Sequence, residues 1–125
     1  MIKDNKSAES LAKILSEALP YIQKFSGKIV VIKYGGSAMK ENKLRQNFAR
    51  DIALMRQIGI FPVLIHGGGP QIERNLKKSN IKSVFIDGLR KTDENSIKTI
   101  VKTLREVNGD IAELIKTWGA RTKTF

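Results

Sequence analysis

Two glycine turns in this chain combine residue types that suit the binding of anions. The first is Lys33-Tyr34-Gly35-Gly36-Ser37, directly after an apolar segment. Glycine lets the backbone come close to a ligand, and successive N–H groups in such a turn form a concave anion site. A lysine at a strand tip adds a positive charge suited to phosphate oxygens. Taken alone, the pattern fits an ordinary turn equally well.

The second turn, His66-Gly67-Gly68-Gly69-Pro70, follows another apolar segment and opens a predicted helix. Proline is preferred in the first turn of a helix. Free N–H groups and the positive end of the helix dipole meet at that point. The turn therefore predicts a site for a carboxylate or phosphate, with a flexible connection as the alternative. His66 is expected to be a hydrogen-bonded residue at a strand end rather than a catalyst.

A third polar segment contains the turn Asp87-Gly88 followed by Arg90, Thr92 and Asp93. The guanidinium of arginine can bind a carboxylate through two parallel hydrogen bonds. Thr92 or Asp93 can cap the helix that follows. By itself, the segment also fits a solvated arginine beside a turn.

Composition excludes several classes of protein. Cysteine is absent and there is one histidine, which argues against disulfides and against a thiolate or histidine metal site. Neither the P-loop nor the dinucleotide-binding glycine pattern occurs. The net charge of +11 is spread along the chain, and only 6% of residues are aromatic, which argues against specific nucleic-acid binding. No segment suits membrane insertion, so a cytoplasmic protein is expected.

Hydrophobic periodicity predicts alternating helices and strands, with helices on both faces of a mainly parallel sheet. The first two strands are expected to be neighbours. We therefore predict an α/β fold of three layers, α/β/α. The predicted helices are 7–18, 20–25 (set at an angle to the first), 42–58, one from Pro70, 92–107 and 110–118; the predicted strands are 28–33, 61–66 and 83–86.

The order and spacing of four motifs are similar to those of the amino acid kinase family. The motifs are Val31–Gly36, Phe48–Asp51, His66–Ile72 and Asp87–Asp93. They most resemble the branch whose members phosphorylate the side-chain carboxylate of N-acetyl-L-glutamate in arginine biosynthesis, rather than aspartate, uridylate, carbamate or glutamate 5-kinases. The resemblance runs from about residue 18 to about residue 115 and implies the family fold.

The resemblance also implies roles for individual residues. Lys33 would stabilise charge on the transferred phosphoryl group, and Gly35 and Gly36 would face the phosphates of ATP. Gly68–Gly69 would hold the reacting carboxylate, and Arg90 would bind the α-carboxylate of the substrate. ATP would bring Mg²⁺ with it, without a protein metal site. The substrate's carboxylate would be the nucleophile and would give an acyl phosphate.

Family members continue into a nucleotide-binding lobe, so residues 28–125 are expected to be a truncated substrate-binding lobe with little kinase activity alone. Residues 1–27 resemble a helical extension that interlaces with its copy in another subunit. A homo-oligomer is therefore expected, a dimer or, through this helix, a hexamer; a helix folded back on its own core is the alternative. Two other functions stay open. One is a related kinase acting on carrier-linked aminoadipate or glutamate, and the other is a non-catalytic module for N-acetylglutamate binding or for assembly.

Overall fold

The structure, a computed structural model, describes residues 5–125, with side chains for residues 7–35 and 38–125. Residues 1–4 of the predicted extension lie outside the described part. The elements in chain order are α1 Asn5–Phe25, β1 Ile29–Tyr34, a 3₁₀ helix Gly36–Met39, α2 Asn42–Gln57, β2 Phe61–His66, α3 Gly69–Lys78, β3 Val84–Ile86, β4 Leu89–Lys91 and α4 Glu94–Lys116.

Strands β1 and β2 form a parallel pair, in register from Ile29 opposite Phe61 to Tyr34 opposite His66. Both are short, largely apolar runs, and β1 is rich in β-branched residues, as parallel strands usually are. The predicted α/β class with a parallel sheet and the predicted neighbouring strands are confirmed.

One face of this strand pair is covered by helices of the chain, whereas the opposite face is open. Ile29 and Val31 of β1 and Ile65 of β2 are 72%, 67% and 56% exposed. Side chains alternate between the faces of a strand, so the covered face carries Ile32, Leu64 and their neighbours. Within residues 5–125, helices therefore pack on one face of the strand pair rather than on both.

Helix α1 is continuous through Pro20, so the prediction of two helices separated at this residue is wrong. Proline lacks an N–H and leaves the carbonyl four residues earlier without its helical partner. That carbonyl belongs to Ser16, which is exposed, and water can satisfy it. One missing hydrogen bond near the end of a 21-residue helix does not interrupt it.

Helix α4 is also continuous, so the predicted break near Gly109 is wrong. A glycine inside a helix costs roughly 0.5–1 kcal/mol relative to alanine. On either side of it, Val107 and Ile111 are buried in the core, and burial of each such side chain contributes roughly 1.5–3 kcal/mol. Packing therefore outweighs the cost of the glycine. The predicted start is confirmed, because the Asp93 carboxylate caps the helix by accepting a hydrogen bond from Ser96 N at 2.8 Å.

Strands β3 and β4 form an antiparallel hairpin in which Val84 lies opposite Lys91. Its turn residues, Asp87 and Gly88, have φ of 48° and 79°, the left-handed values that tight hairpins require. The turn was predicted; β4 was not, because its three residues carry no apolar alternation.

Two clusters of buried side chains form the core, and α4 contributes to both. The larger consists of Tyr34, Ala49, Ile52, Ala53, Val107, Ile111, Ile115 and Ala120. The smaller consists of Ile72, Leu76 and Ile100. Helix α4 thereby packs against both α2 and α3.

Candidate functional site

The two glycine turns meet in one cavity of about 580 Å³. Its lining includes Lys33 and Gly35 from the end of β1 and Gly67–Gly69 from the end of β2. The carboxyl ends of neighbouring parallel strands lie at the same edge of a sheet, which is where ligands bind in open α/β folds. The structure therefore brings together the two segments in which the sequence predicted anion binding.

The second turn presents free backbone donors. Gly67 N donates to Tyr34 O at 3.1 Å, which continues the strand pairing by one residue. Gly68 is the N-cap of α3 and Gly69 its first residue. Among the backbone and side-chain atoms that the structure describes, neither of these two N–H groups has a hydrogen-bond acceptor. Such donors at the positive end of a helix form a binding site for a carboxylate or phosphate.

The cavity is strongly basic. Lys33, Lys40, Arg45 and Arg74 line it, against the single carboxylate of Asp110. Four cations facing one anion attract an anionic ligand of several charges. The sequence interpretation missed the last four of these residues. Arg74 lies three residues after Gln71, another lining residue, and that helical spacing could have revealed it.

Tyr34 anchors the first glycine turn from inside the core. Its ring is stacked on Phe48, with centroids 3.8 Å apart. Its hydroxyl donates to the carbonyl oxygen of Ala38 at 3.0 Å, within the 3₁₀ helix that Gly36 begins. Burial raises the pKa of the Tyr34 phenol above its ordinary value, although the nearby charge of Arg45 acts to lower it. The hydroxyl therefore stays protonated as a donor and ties both ends of the turn together.

Of the predicted site residues, Gly36 lies outside those with described side-chain surroundings. Among the others, Arg90 is not on the cavity lining. It lies in β4 with its side chain only 16% exposed, and its Nη2 donates to Glu73 Oε2 at 3.0 Å. Its Nη1 contacts Ser83 Oγ, and its guanidinium lies 4.6 Å from the ring centre of Phe85. Hydrogen bonds from Ser83 and then from Arg90 lower the pKa of the Glu73 carboxyl. Arg90 thus binds a carboxylate, but one from its own chain.

His66 has the hydrogen bonds predicted for a strand-end residue. Its Nδ1 lies 2.9 Å from the carbonyl oxygen of Gly67, and its Nε2 lies 3.2 Å from Asn108 Nδ2. No signal in the sequence connects residues 66 and 108, since they are 42 positions apart.

A second surface depression lies along one exposed side of α4, between Ile97 and Glu106. All of its lining residues come from this helix, so no second element supplies convergent polar groups. In the part of the chain that the structure describes, no group of three or more His, Cys, Asp or Glu side chains is arranged to hold a metal ion. Over the same residues, no helix is both long and apolar enough to cross a membrane.

Two curated relatives resemble most of the chain. It is 52% identical over 108 residues to the acetylglutamate kinase of Aquifex aeolicus, which covers 86% of this chain and 36% of the relative. It is 51% identical over 120 residues to the acetylglutamate kinase of Stutzerimonas stutzeri, covering 95% of this chain and 40% of the relative. The chain thus spans well under half the length of these relatives.

Solved structures of an N-acetylglutamate synthase from Neisseria gonorrhoeae share the fold. The complex with coenzyme A and N-acetyl-glutamate superimposes with a TM-score of 0.63 at 29% identity, over 83% of this chain and 23% of that one. The complex with coenzyme A and L-arginine gives 0.63 at 28% identity, over 88% and 25%. The model of the amino acid kinase family matches residues 28–122. On this match and these identities, the chain belongs to the amino acid kinase family.

Proposed function

We propose that this chain carries the substrate-facing part of a kinase that transfers the γ-phosphoryl group of ATP to the side-chain carboxylate of N-acetyl-L-glutamate, a step of arginine biosynthesis. The observation that carries the proposal is the meeting of Lys33 and Gly35 with Gly68 and Gly69 in one basic cavity. The names of the relatives, acetylglutamate kinase, supply the substrate.

The cavity suits phosphoryl transfer because that reaction depends on positioning and on neutralising charge. In the proposed arrangement, Lys33 and the turn at Gly35–Gly36 face the phosphates of ATP. The free N–H groups of Gly68 and Gly69 hold the attacking carboxylate. Mg²⁺ bound to the nucleotide would neutralise part of its phosphate charge. Fixed donors of this kind stabilise developing negative charge without having to reorganise.

Arg90 is proposed to bind the α-carboxylate of the substrate. Its guanidinium already binds the Glu73 carboxylate at 3.0 Å, so a free carboxylate would have to replace Glu73. The substitution Glu73→Gln removes the competing charge and should raise the affinity for N-acetylglutamate. Arg90→Lys keeps the charge but loses the two-pronged geometry and should lower that affinity.

Isothermal titration of the chain with N-acetylglutamate tests the proposal directly. The wild type should bind it, and should bind free glutamate more weakly. Equal binding of both compounds would favour a kinase for another acyl substrate, such as carrier-linked aminoadipate or glutamate. Binding without phosphoryl transfer fits both this proposal, since little activity is expected of the chain alone, and a binding or assembly module. No binding to either compound would contradict the proposed site.

A matched pair of lysine variants tests the phosphate side of the cavity. Lys33→Gln removes a charge from the lining, whereas Lys28→Gln removes the same charge from an exposed position outside it. Affinity for ATP should fall in the first variant only. An equal fall in both would mean that overall charge, not the cavity, attracts the nucleotide.

Helix α1 is proposed to join copies of the chain. Apolar residues of this helix are exposed instead of packing on the core, including Leu11, Ile14, Leu15 and Leu19. A second copy of the same helix could bury them. Deletion of residues 1–27 should therefore give a smaller species on a sizing column. An unchanged size would contradict self-association through α1.

A further inference from the structure

His66 and Asn108 form a connection behind the second glycine turn. His66 Nδ1 lies 2.9 Å from Gly67 O, and Asn108 Nδ2 lies 3.2 Å from His66 Nε2. Neither side chain is part of the cavity lining, although Gly67 and Gly68 are. The pair therefore supports the turn from outside the cavity and does not reach a ligand within it.

The two contacts require one arrangement of hydrogens on the imidazole. A carbonyl oxygen only accepts hydrogen bonds, so Nδ1 must carry the hydrogen that Gly67 O receives. In the neutral ring, Nε2 is then the acceptor, and the amide of Asn108 donates to it. The opposite tautomer would place two acceptors 2.9 Å apart, which is repulsive.

This arrangement sets the direction of the peptide between Gly67 and Gly68. The structure describes no cis peptide bond, and in a planar trans peptide the N–H points opposite to the preceding carbonyl. With the Gly67 carbonyl held by the imidazole, the Gly68 N–H points away from His66. Glycines alone would let this peptide rotate, because they lack the steric limits of other residues.

The neighbouring groups leave the same peptide little freedom. Gly67 N is bonded to Tyr34 O at 3.1 Å, so both polar groups of residue 67 are fixed. A Cβ on Gly68 would lie 3.0 Å from Leu104 Cδ2, which means that the backbone of Gly68 is packed closely against α4.

We propose that His66 and Asn108 are positioning residues that hold the Gly68 N–H in the orientation needed to bind the reacting carboxylate. The assignment of that carboxylate rests on the proposed function, whereas the orientation of the peptide does not. Without the Asn108 donor, the imidazole can adopt its other tautomer, release the Gly67 carbonyl and let the peptide rotate.

Nitrogen NMR of the uniformly ¹⁵N-labelled chain tests the first step without any ligand. The chain has a single histidine, so the ring signals are unambiguous. We expect the neutral ring to be protonated at Nδ1, the minor form of free histidine. A ring protonated mainly at Nε2 would overturn the proposal.

Three variants test the second step. Asn108→Leu removes the donor at similar volume. Asn108→Asp pairs with the imidazolium form of His66, which carries a hydrogen on both ring nitrogens, so that Nε2–H donates to the new carboxylate and Nδ1–H stays on Gly67 O. Asn75→Leu is the control, because it removes a different side-chain hydrogen bond to α4, from Asn75 Nδ2 in α3 to Thr103 Oγ1 at 2.9 Å. The Gly68 amide signal should move in Asn108→Leu, stay in place in the control and return towards the wild-type position in Asn108→Asp.

Affinity for N-acetylglutamate should follow the same order, with a loss on the order of tenfold in Asn108→Leu. Asn108→Asp should recover part of that loss, and the control should keep wild-type affinity. If Asn108→Leu only lowers stability, as the control does, the pair is a structural contact and the proposal fails. If the wild type does not bind N-acetylglutamate but the tautomer and the Gly68 signal behave as expected, the proposed function fails and the positioning of the peptide stands.

Discussion

The hydroxyl of Tyr34 offers a direct test of how the first glycine turn is held. Substitution of Tyr34 by Phe keeps the ring stacked on Phe48 and removes only the hydrogen bond to the Ala38 carbonyl. That bond ties the end of β1 to the 3₁₀ helix beyond Gly35. The substitution should loosen the turn without opening the core.

The expected loss of stability is about 1 kcal/mol. A hydrogen bond contributes roughly 0.5–1.5 kcal/mol net, and leaving a buried carbonyl unsatisfied moves the cost towards the upper end. Since Ala38 is only half-buried, water can reach part of it and limits the penalty. With a urea slope of about 2 kcal/mol/M, the unfolding midpoint should fall by about 0.5 M.

Urea unfolding followed by circular dichroism measures this change. Tyr21→Phe is the matched control, because its ring is 67% exposed on α1 and its hydroxyl can bond to water in either state. The midpoint of the control should not move. If Tyr34→Phe proves as neutral as Tyr21→Phe, the bond to Ala38 contributes nothing and the reasoning about the turn is wrong.

The same variant has a consequence at alkaline pH. Burial raises the pKa of the Tyr34 phenol, with Arg45 opposing the shift. The folded state therefore holds this proton more tightly than the unfolded chain, in which the phenol titrates at roughly pH 10. The stabilisation is complete below that pH and is lost as the pH rises through the folded-state pKa. Above pH 10, wild type should lose more stability than Tyr34→Phe in parallel urea titrations.

Three further substitutions test the framework. Gly59→Ala should destabilise by about 1 kcal/mol or more, seen as a lower melting temperature, because φ is +90° and a Cβ would lie 2.5 Å from Ser26 Oγ. Leu76 is 1% exposed and Leu54 is 58% exposed. In urea unfolding, Leu76→Ala should lower the free energy of unfolding by about 3 kcal/mol, whereas Leu54→Ala should lower it by less than about 0.5 kcal/mol. Equal losses would contradict the assigned core. Hydrogen bonds from Ser96 lower the pKa of the Asp93 carboxyl. The helix cap is therefore complete above roughly pH 3.9, the unfolded value, and weakens as the pH falls through the folded-state pKa. Acid titration by circular dichroism should show this loss of stability in wild type and not in Asp93→Asn.

The parallel strands and both glycine turns could be predicted because their signals are local. Each strand is an apolar run that begins soon after a single glycine, Gly27 or Gly59, and ends at a glycine turn. A few adjacent residues are enough to recognise this pattern. The interruptions predicted at Pro20 and Gly109 were wrong for the same reason. One helix-breaking residue is a local signal, and helical bonding around it or packing on both sides outweighed it.

Long-range partners could not be predicted. The Glu73 carboxylate bound to Arg90 is 17 residues away in sequence, and nothing near Arg90 indicates it. Likewise, a continuous run such as Ile29–Ile32 does not reveal which side of a strand is covered, because both sides carry apolar residues. Alternation in exposure appears only once the helices are in place.

The packing of helix α4 in both core clusters determines how the protein unfolds. It spans 23 residues, about 35 Å, and contributes Ile100 to the smaller cluster and Val107, Ile111 and Ile115 to the larger. Neither cluster can lose its helix without disturbing the other. The backbone amides buried under the two clusters should therefore exchange with solvent in a single cooperative opening. The N–H groups that face the cavity should lose their fixed orientation in the same event.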